Sequence, residues 1–235
     1  MIVQEFKGDR KDLWVENRRV SYAIKSILDR LIATLMLLSL TPILIIVAIA
    51  VHFGMGDPIL FTQTRCGRNG EKFKIYKFRS MTNECDADGN LLEDEDRLTK
   101  FGQFIRRFKL DEILQLWNIV KGDMSFVGPR PTLPEQVRDY YSWQKERLKV
   151  TPGLTGWSQV NGNVNYSWTE RICMDIWYLH NWSLWLDMRI LIKTLAVVIW
   201  GEHKNHRAFN QAWKYVEQGL KVDLTLPVQE SMKSH

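Results

Sequence analysis

The sequence contains few of the features that mark secreted, disulfide-linked or metal-cluster proteins. Cys66, Cys85 and Cys173 are far apart and odd in number, so neither a disulfide framework nor a cysteine metal site is predicted, and a reducing compartment is favoured. The first 25 residues contain no apolar stretch typical of a signal peptide. The sequence also lacks a G-x-S-x-G motif, a P-loop and a dinucleotide-binding glycine motif, which argues against three large enzyme classes.

Tryptophan and positive charge are abundant by comparison. The chain has ten Trp among 235 residues, a formal charge of +5 and a pI of about 9.1. Amphipathic aromatic side chains suit a membrane interface as well as a protein core. A mild basic excess fits an anionic partner, which from charge alone is nucleic acid, a phosphorylated substrate or anionic lipid.

One apolar segment is long enough to enter a membrane. Residues 31–51 contain no charge, and 21 helical residues extend roughly 30 Å. Pro42 lies near the middle beside Thr41, where a proline removes a helical hydrogen bond and a nearby hydroxyl compensates. Residues 1–30 carry seven Lys or Arg and residues 52–81 carry six. Because a spanning helix normally has unequal flanking charge, we expect a re-entrant hairpin that bends at Thr41-Pro42, with a single span as the alternative.

The rest of the chain predicts a mostly helical α+β fold. Two β-rich runs around Asn69-Gly70 are typical of a hairpin, and residues 83–96, with seven acids, predict a solvated loop. Apolar residues at helical spacing predict helices over 98–108, 110–120 and 167–179. Residues 181–200 form another helical pattern, rich in Trp and interrupted by charges, which we interpret as interfacial, with packing in the core as the alternative. The segment after 203 is polar, and we expect a loosely attached tail.

Two adjacent acids, Asp111 and Glu112, begin the second of these helical patterns. Acids at a helix start interact favourably with the macrodipole, so a purely structural role is one interpretation. The other is chemistry, because an ionised carboxylate attacks phosphorus once the charge of the phosphate is neutralised. The dipole and nearby arginines favour the charged form of Asp111. Mg²⁺ binds to one or two carboxylates together with substrate phosphates, so this pair is sufficient. The cations around the same motifs are Lys77, Arg79, Arg106, Arg107 and Arg130.

Taken together and in order, these motifs resemble the monotopic phosphoglycosyl transferases, the bacterial sugar transferase family. The resemblance covers roughly residues 25–200, and each motif is weak alone whereas the ordered set is specific. The matching segments are the Thr41-Pro42 break, GRNGEKFKIYKFRSM (67–81), LTKFGQFIRRFKLDEILQLWNIVKGDMSFVGPRP (98–131), TPGLTGWSQVNG (151–162) and DIWYLHNWSLWLDMRILIKT (175–194).

The resemblance implies a reaction and assigns roles to residues. Such enzymes transfer a sugar-1-phosphate from a UDP-sugar to a membrane polyprenyl phosphate, such as undecaprenyl phosphate, and release UMP. Asp111 matches the nucleophile of a ping-pong mechanism, Glu112 a supporting acid that positions the metal or the nucleophile, and Mg²⁺ is the implied cofactor. Arg106 matches a phosphate-contacting basic residue. Pro129, Arg130 and Pro131 match the nucleotide-binding motif. The other implied substrate-binding residues are Lys77, Arg79 and Asp175.

The family also implies a cellular setting. We expect a bacterial inner-membrane protein whose catalytic domain lies on the cytoplasmic face, which acts with downstream glycosyltransferases, has no nucleic-acid partner and can form a homodimer. The expected division is a basic segment (1–24), a re-entrant helix (25–56), a catalytic domain with a small β-hairpin and interfacial amphipathic helices (57–200), and a C-terminal tail (201–235). The chain looks like the minimal catalytic form, without the N-terminal spans of larger members.

The sequence departs from the family pattern at three positions. Leu114 replaces the usual proline after the acidic pair, Lys109 replaces a small hydroxyl residue, and Thr41 replaces serine. Lys109 cannot provide a side-chain N-cap, so the usual cap before the acids is not expected. Two alternatives to the transferase are a metal-dependent nucleotide-sugar hydrolase and a non-catalytic membrane-surface scaffold.

Overall fold

The computed structural model describes residues 19–220 as a mainly helical protein with two small two-stranded sheets. Five 3₁₀ turns connect the elements, and one of them, Leu110–Glu112, contains the acidic pair. In chain order the helices and strands are α1 (Arg19–Met55), β1 (Leu60–Cys66), β2 (Lys72–Phe78), α2 (Asp94–Arg97), α3 (Lys100–Arg107), α4 (Gln115–Lys121), β3 (Ser125–Val127), α5 (Pro134–Arg138), β4 (Gly153–Thr155), α6 (Trp168–Asn181), α7 (Leu184–Trp200) and α8 (His206–Leu220).

Helix α1 contains the apolar segment and runs for 37 residues, with Pro42 inside it. By length and composition it is the one helix within residues 19–220 that is able to cross a membrane. The Thr41 hydroxyl donates to the carbonyl of Leu37 at 2.8 Å. The carbonyl that Pro42 deprives of a donor is that of Leu38, one residue further on. The hydroxyl therefore strengthens the preceding turn, and α1 is not divided at the predicted bend.

Both ends of α1 contact the same globular body. Near its N-terminal end, Lys25 Nζ lies 2.7 Å from Asp187 Oδ2 of α7, and its middle buries Ala33 against Leu116 and Ile119. Val47 and Val51 pack in a further cluster with Phe78 and Ile105. The opposite face is exposed and apolar, including Leu35, Leu38, Ile46, Ile49 and Phe53. The helix thus lies along the body from end to end, with one side uncovered.

The two sheets support the segments on either side of the acidic pair. Strands β1 and β2 pair antiparallel, and the connecting turn Arg68–Gly70 places Asn69 at a left-handed φ of 56°, which asparagine tolerates better than most residues. The predicted hairpin is therefore confirmed. Strands β3 and β4 form a short parallel pair. The acidic loop is largely exposed, as expected, but its end forms the short helix α2.

Helices α6, α7 and α8 form the other side of the body. The Ser167 hydroxyl accepts a hydrogen bond from the Glu170 amide at the start of α6, and the Glu170 carboxylate bonds back to the Ser167 amide, which is a capping box. Helix α7 buries Leu186, Asp187 and Ile190 and exposes an apolar face that includes Trp185, Ile192, Leu195, Ile199 and Trp200.

The expectation of a loosely attached tail after residue 203 is wrong as far as residue 220. Helix α8 buries Ala208, Ala212, Val216 and Leu220, and Val216 and Leu220 pack with Ile172 and Ile176 of α6. Small and apolar residues at four-residue spacing give α8 the buried stripe; the polar residues that suggested a tail occupy its other face. Residues 1–18 and 221–235 of the predicted terminal segments lie outside the described residues.

Candidate active site

The acidic pair lies in a turn before a helix rather than inside the helix. Lys109 adopts a left-handed conformation with φ 56° and makes no side-chain cap, as its chemistry led us to expect. Asp111 and Glu112 follow in the 3₁₀ turn, and α4 begins only at Gln115. Helix α4 ends at Gly122, whose φ of 87° is the left-handed conformation common after a helix end. The turn places the two neighbouring carboxylates in different surroundings.

Asp111 has a buried and unpaired carboxylate oxygen. The side chain is 7% exposed, and Oδ1 has no hydrogen-bond partner among the described residues. Burial, and then the neighbouring Glu112 charge, raise the pKa of Asp111, although Lys77, Lys109 and Arg106 act to lower it. Our expectation that the dipole and cations favour the charged form thus has the wrong net direction. This oxygen is therefore buried with its hydrogen-bonding capacity unused.

Glu112 is held between cations. Its Oε1 lies 2.5 Å from Lys77 Nζ of β2 and 3.8 Å from a guanidinium nitrogen of Arg130. Burial by itself would raise the pKa of Glu112, but Lys77 and Arg130 outweigh it and the pKa lies below its ordinary value. The two acids therefore differ: Glu112 is kept charged by partners, whereas one buried oxygen of Asp111 has no partner among the described residues.

Arg106 is placed beside the turn by the close approach of α3 to the segment after β2. Its Nε donates to Ser80 Oγ at 2.7 Å. A Cβ atom on Gly102, one turn earlier, would lie 1.8 Å from the carbonyl oxygen of Ser80, so only glycine allows this approach. The arginine retains terminal donors, and its charge acts on Asp111.

The backbone of the Pro129–Arg130–Pro131 motif is fixed at all three carbonyls. Pro129 O accepts from the Gly153 amide at 2.9 Å. Arg130 O accepts from Arg147 at 3.1 Å, and Pro131 O from Arg65 at 3.4 Å. The two prolines provide no N–H, so this bonding runs through the carbonyls. The Arg130 side chain is left half-exposed and directed to Glu112.

Asp175 lies behind this motif rather than beside the acidic pair. It is 1% exposed, its Oδ2 is 2.5 Å from Arg147, and its Oδ1 accepts from Ser158 at 2.8 Å. Arg147 also donates to Tyr140 at 2.6 Å. Asp175 therefore acts on Arg130 through Arg147 in this geometry, an interaction that the spacing in the sequence did not indicate.

Three other predicted residues, Arg79, Thr41 and Pro42, lie apart from the carboxylates. Arg79 is buried, and its guanidinium donates to the carbonyls of Met55, Gly56 and Asp57. It thereby satisfies orphan carbonyls at the C-terminal end of α1. Thr41 and Pro42 lie within α1 itself. Among the predicted cations, Lys77, Arg106 and Arg130 surround the acidic pair, whereas Arg79 holds a helix end.

Arg65 is a basic residue that the sequence reasoning missed. It bonds to Pro131 O at 3.4 Å and to Gln63 Oε1 at 2.6 Å. Burial, followed by repulsion from Arg130, lowers its pKa to about 10. Arg65, Lys77, Glu112 and Arg130 line one small cleft. The sequence contained a partial indication of this residue. Arg65 pairs with Phe73 in the predicted hairpin, so its strand lies beside the strand that contains Lys77.

A divalent cation fits this site only with a ligand that supplies further oxygens. Within residues 19–220 no group of three or more His, Cys, Asp or Glu side chains is placed to hold a metal. The unpaired Oδ1 of Asp111 is a suitable anionic donor, while one oxygen of Glu112 is already engaged by Lys77. Such a donor set fits Mg²⁺, which retains water and substrate phosphate in its coordination sphere.

These features define a protein with one long apolar helix and a paired-carboxylate site surrounded by cations. The model of the family described as bacterial sugar transferase matches residues 20–201, and the chain belongs to that family. It is 46% identical over 180 residues to the uncharacterized sugar transferase EpsL of Bacillus subtilis. These 180 residues are 76% of this chain and 89% of EpsL.

Two longer relatives have more specific names. The galactosyl transferase CpsE of Streptococcus agalactiae is 41% identical over 160 residues, which are 62% of this chain and 36% of CpsE. The UDP-glucose:undecaprenyl-phosphate glucose-1-phosphate transferase of Escherichia coli is 38% identical over 186 residues, 75% of this chain and 40% of that protein. The chain thus spans less than half the length of these two relatives.

Proposed function

We propose that this protein transfers a sugar-1-phosphate from a UDP-sugar to a polyprenyl phosphate in the bacterial inner membrane and releases UMP. The observation that carries the proposal is the buried, unpaired Oδ1 of Asp111 beside Glu112, which is itself held by Lys77 and Arg130. A nucleophile aimed at an anionic diphosphate needs this arrangement, because positive charge must neutralise the phosphate before a carboxylate approaches it. The name of the Escherichia coli relative, which states a UDP-sugar and undecaprenyl phosphate, supports the same substrates.

The reaction proceeds in two displacements at one phosphorus. An oxygen of Asp111 forms a bond to the phosphorus that carries the sugar. The bond from this phosphorus to the bridging oxygen breaks, and UMP leaves with the electron pair. A phosphate oxygen of the polyprenyl phosphate then attacks the same phosphorus and displaces the Asp111 carboxylate, which gives a polyprenyl diphosphosugar. A covalent intermediate of this kind produces ping-pong kinetics.

The elevated pKa of Asp111 suits a nucleophile. Burial raises the pKa of this carboxyl group, so its ionised form is more basic and more reactive than that of an exposed aspartate. Lys77, Arg106 and Arg130 would bind the phosphates, and Arg65 extends the cationic surface along the Pro129–Arg130–Pro131 segment. Glu112 orients Lys77 and Arg130. Asp175 acts at one remove, since Arg147 connects it to the backbone of Arg130.

Mg²⁺ is the proposed cofactor, and Asp111 and Glu112 would hold it together with substrate phosphate. When bound it would supply positive charge to the diphosphate and to the departing UMP. The protein's own contribution is to keep Glu112 charged and to leave Oδ1 of Asp111 unpaired until substrate arrives.

The proposed membrane topology is monotopic, with both ends of α1 on the cytoplasmic side, as a re-entrant arrangement requires, although α1 is not divided at Pro42. Lys25 and Met55 lie near opposite ends of α1, yet both contact the body that contains Asp111, through Asp187 and Arg79 respectively. A helix that crossed the bilayer would separate these contacts onto two faces. The exposed apolar faces of α1 and α7 suit lipid, and together they support a body seated at headgroup height.

A screen of UDP-sugars with the purified protein tests the function. With Mg²⁺ and polyprenyl phosphate, one UDP-sugar is expected to give continuous UMP release and a lipid-linked diphosphosugar. Without the lipid, UMP is expected to stop at about one equivalent per enzyme, as a covalent intermediate requires. Full-rate release of free sugar phosphate without lipid would indicate the hydrolase instead, and no UMP with any UDP-sugar would favour the scaffold.

A further inference from the structure

A second cavity adjoins the acidic pair on the side of the membrane helix. It has a volume of about 300 Å³ and is walled by apolar residues of α1 and α7, including Met36, Leu40, Leu191 and Val198. Its polar lining includes Lys109, Glu112 and Arg130, together with Thr155, Gln159, Asn163, Thr194 and Glu202. This volume is at the small end of the range for ligand pockets, roughly 300–1,000 Å³.

The cavity is separate from the cationic cleft that contains Arg65 and Lys77. The two spaces share three lining residues, Glu112, Arg130 and Leu154. The pair formed by Glu112 and Arg130, with 3.8 Å between the charged atoms, therefore stands between a polar cleft and an apolar cavity. A small cleft lined by three cations suits a phosphate group of the donor. Apolar walls that lead to cations suit an amphipathic phosphate.

We infer that the cavity between α1 and α7 is the acceptor subsite, which takes the first part of an isoprenoid chain and directs its phosphate to Lys109 and Arg130. This inference rests on the proposed function and adds the route of the second substrate. The donor and acceptor occupy opposite sides of the Glu112–Arg130 pair, so Arg130 contacts the phosphate of either substrate.

The position of the walls explains how a lipid reaches the site. Met36 and Val198 line the cavity and are also 39% and 51% exposed, so the cavity opens between two helices whose outer faces are apolar. A chain longer than the cavity extends through this opening into the bilayer, where its remaining carbons lie among lipid. The enzyme therefore recognises the head and the first isoprene units, and chain length beyond them has little effect on binding.

Bulky substitutions at the opening test the subsite. Met36→Trp and Val198→Trp place large side chains at the two walls, and both positions are exposed enough to accept them. Leu35→Trp and Ile199→Trp are matched controls, because these neighbours are 59% and 68% exposed and do not line the cavity. The measurements are the KM for polyprenyl phosphate and, separately, the single-equivalent release of UMP without acceptor.

The wall variants are expected to raise the KM for polyprenyl phosphate by about tenfold or more, one order of magnitude being about 1.4 kcal/mol. Their first-turnover UMP release is expected to remain within about twofold of wild type. The control variants are expected to retain both values. Equal KM values in wall and control variants would overturn the acceptor subsite, and so would a parallel loss of first-turnover UMP release in the wall variants.

Photo-crosslinking tests the site without requiring turnover. An isoprenyl phosphate with a diazirine on its first isoprene unit is expected to label peptides containing Leu40 and Leu191 of the wild-type protein, and unlabelled isoprenyl phosphate should compete. Labelling confined to the outward faces around Phe53 or Trp185 would mean that the lipid binds only as bulk bilayer and would overturn the inference. If labelling succeeds while no UDP-sugar yields UMP, the proposed reaction fails and the isoprenoid site stands.

Discussion

At the scale of single residues, the surroundings of Asp111 and Glu112 shift the pKa values of these adjacent carboxyl groups in opposite directions. The pKa of Asp111 is raised by burial, whereas that of Glu112 is lowered because Lys77 and Arg130 outweigh burial. Sequence reasoning predicted that the two acids would face different surroundings, since neighbours on a helical turn point in different directions, and the structure confirms this difference. It could not predict the sign of the Asp111 shift, because burial depends on contacts between distant segments.

Lys77→Met is expected to move the acidic limb of the activity profile to higher pH. Without Lys77, burial dominates at Glu112 and raises its pKa, so the charged form is lost at a higher pH than in the wild-type protein. The measurement is kcat against pH. Lys74→Met removes the same charge from an exposed position of the same strand and should leave the limb in place. An unshifted limb in Lys77→Met would mean that Glu112 does not depend on this pair.

Arg147→Met is expected to destabilise the protein by about 3–5 kcal/mol, because it leaves the buried Asp175 charge without its partner. The double variant Arg147→Met/Asp175→Asn should recover part of this stability, since no buried charge remains uncompensated. Thermal unfolding in detergent measures both. If the double variant is no more stable than the single one, the cost lies in lost packing around Tyr140 and Trp168 rather than in the unpaired charge.

At the scale of elements, the local patterns predicted the hairpin and most helices, but not how they pack. Asn69-Gly70 marked the hairpin turn, and helical spacing predicted a helix over 167–179, where the structure has Trp168–Asn181. The sequence did not indicate that α8 packs on α6, because Ala208 and Ala212 are small and make a weak apolar stripe. It also did not indicate the Arg147 bridge, whose partners lie 17 and 28 residues away in sequence.

Gly102→Ala is expected to lower both stability and activity, because its Cβ would overlap the Ser80 carbonyl and displace α3 together with Arg106. Overpacking of this kind costs about 1–3 kcal/mol. Gly219→Ala is the matched control: this position in α8 has nothing within 4 Å of a new Cβ, and alanine there should stabilise the helix by about 0.5–1 kcal/mol. A normal kcat in Gly102→Ala would contradict this prediction. It would mean that the activity does not depend on the position that the contact between α3 and Ser80 gives to Arg106.

At the scale of the whole molecule, α1 is both an apolar membrane element and part of the protein core. Ala33 and Val51 are fully buried, while Leu38 and Phe53 are 68% and 84% exposed. The sequence predicted the membrane segment and the equal charge on its flanks. It could not predict that one face of the segment packs against the body along its whole length, because an all-apolar run does not distinguish a protein-facing side from a lipid-facing one.

The same-side contacts of α1 lead to a topology prediction. In a protein whose native cysteines are replaced, single cysteines at Val20 and Glu71 are expected to react with an impermeant maleimide only in inverted membrane vesicles. Both positions flank the apolar segment, and both are exposed. Reaction of the two sites from opposite faces would contradict the re-entrant arrangement in favour of a single span.

The most direct test of the proposed chemistry is the mass of the protein after incubation with Mg²⁺ and its UDP-sugar in the absence of acceptor. The account predicts an added mass of one sugar phosphate, located on the peptide that contains Asp111, that disappears when polyprenyl phosphate is supplied. Asp111→Asn, which keeps the size of the side chain, should show neither the added mass nor transfer. Transfer at a near wild-type rate by Asp111→Asn, or an adduct on another residue, would contradict the assignment of Asp111 as the nucleophile.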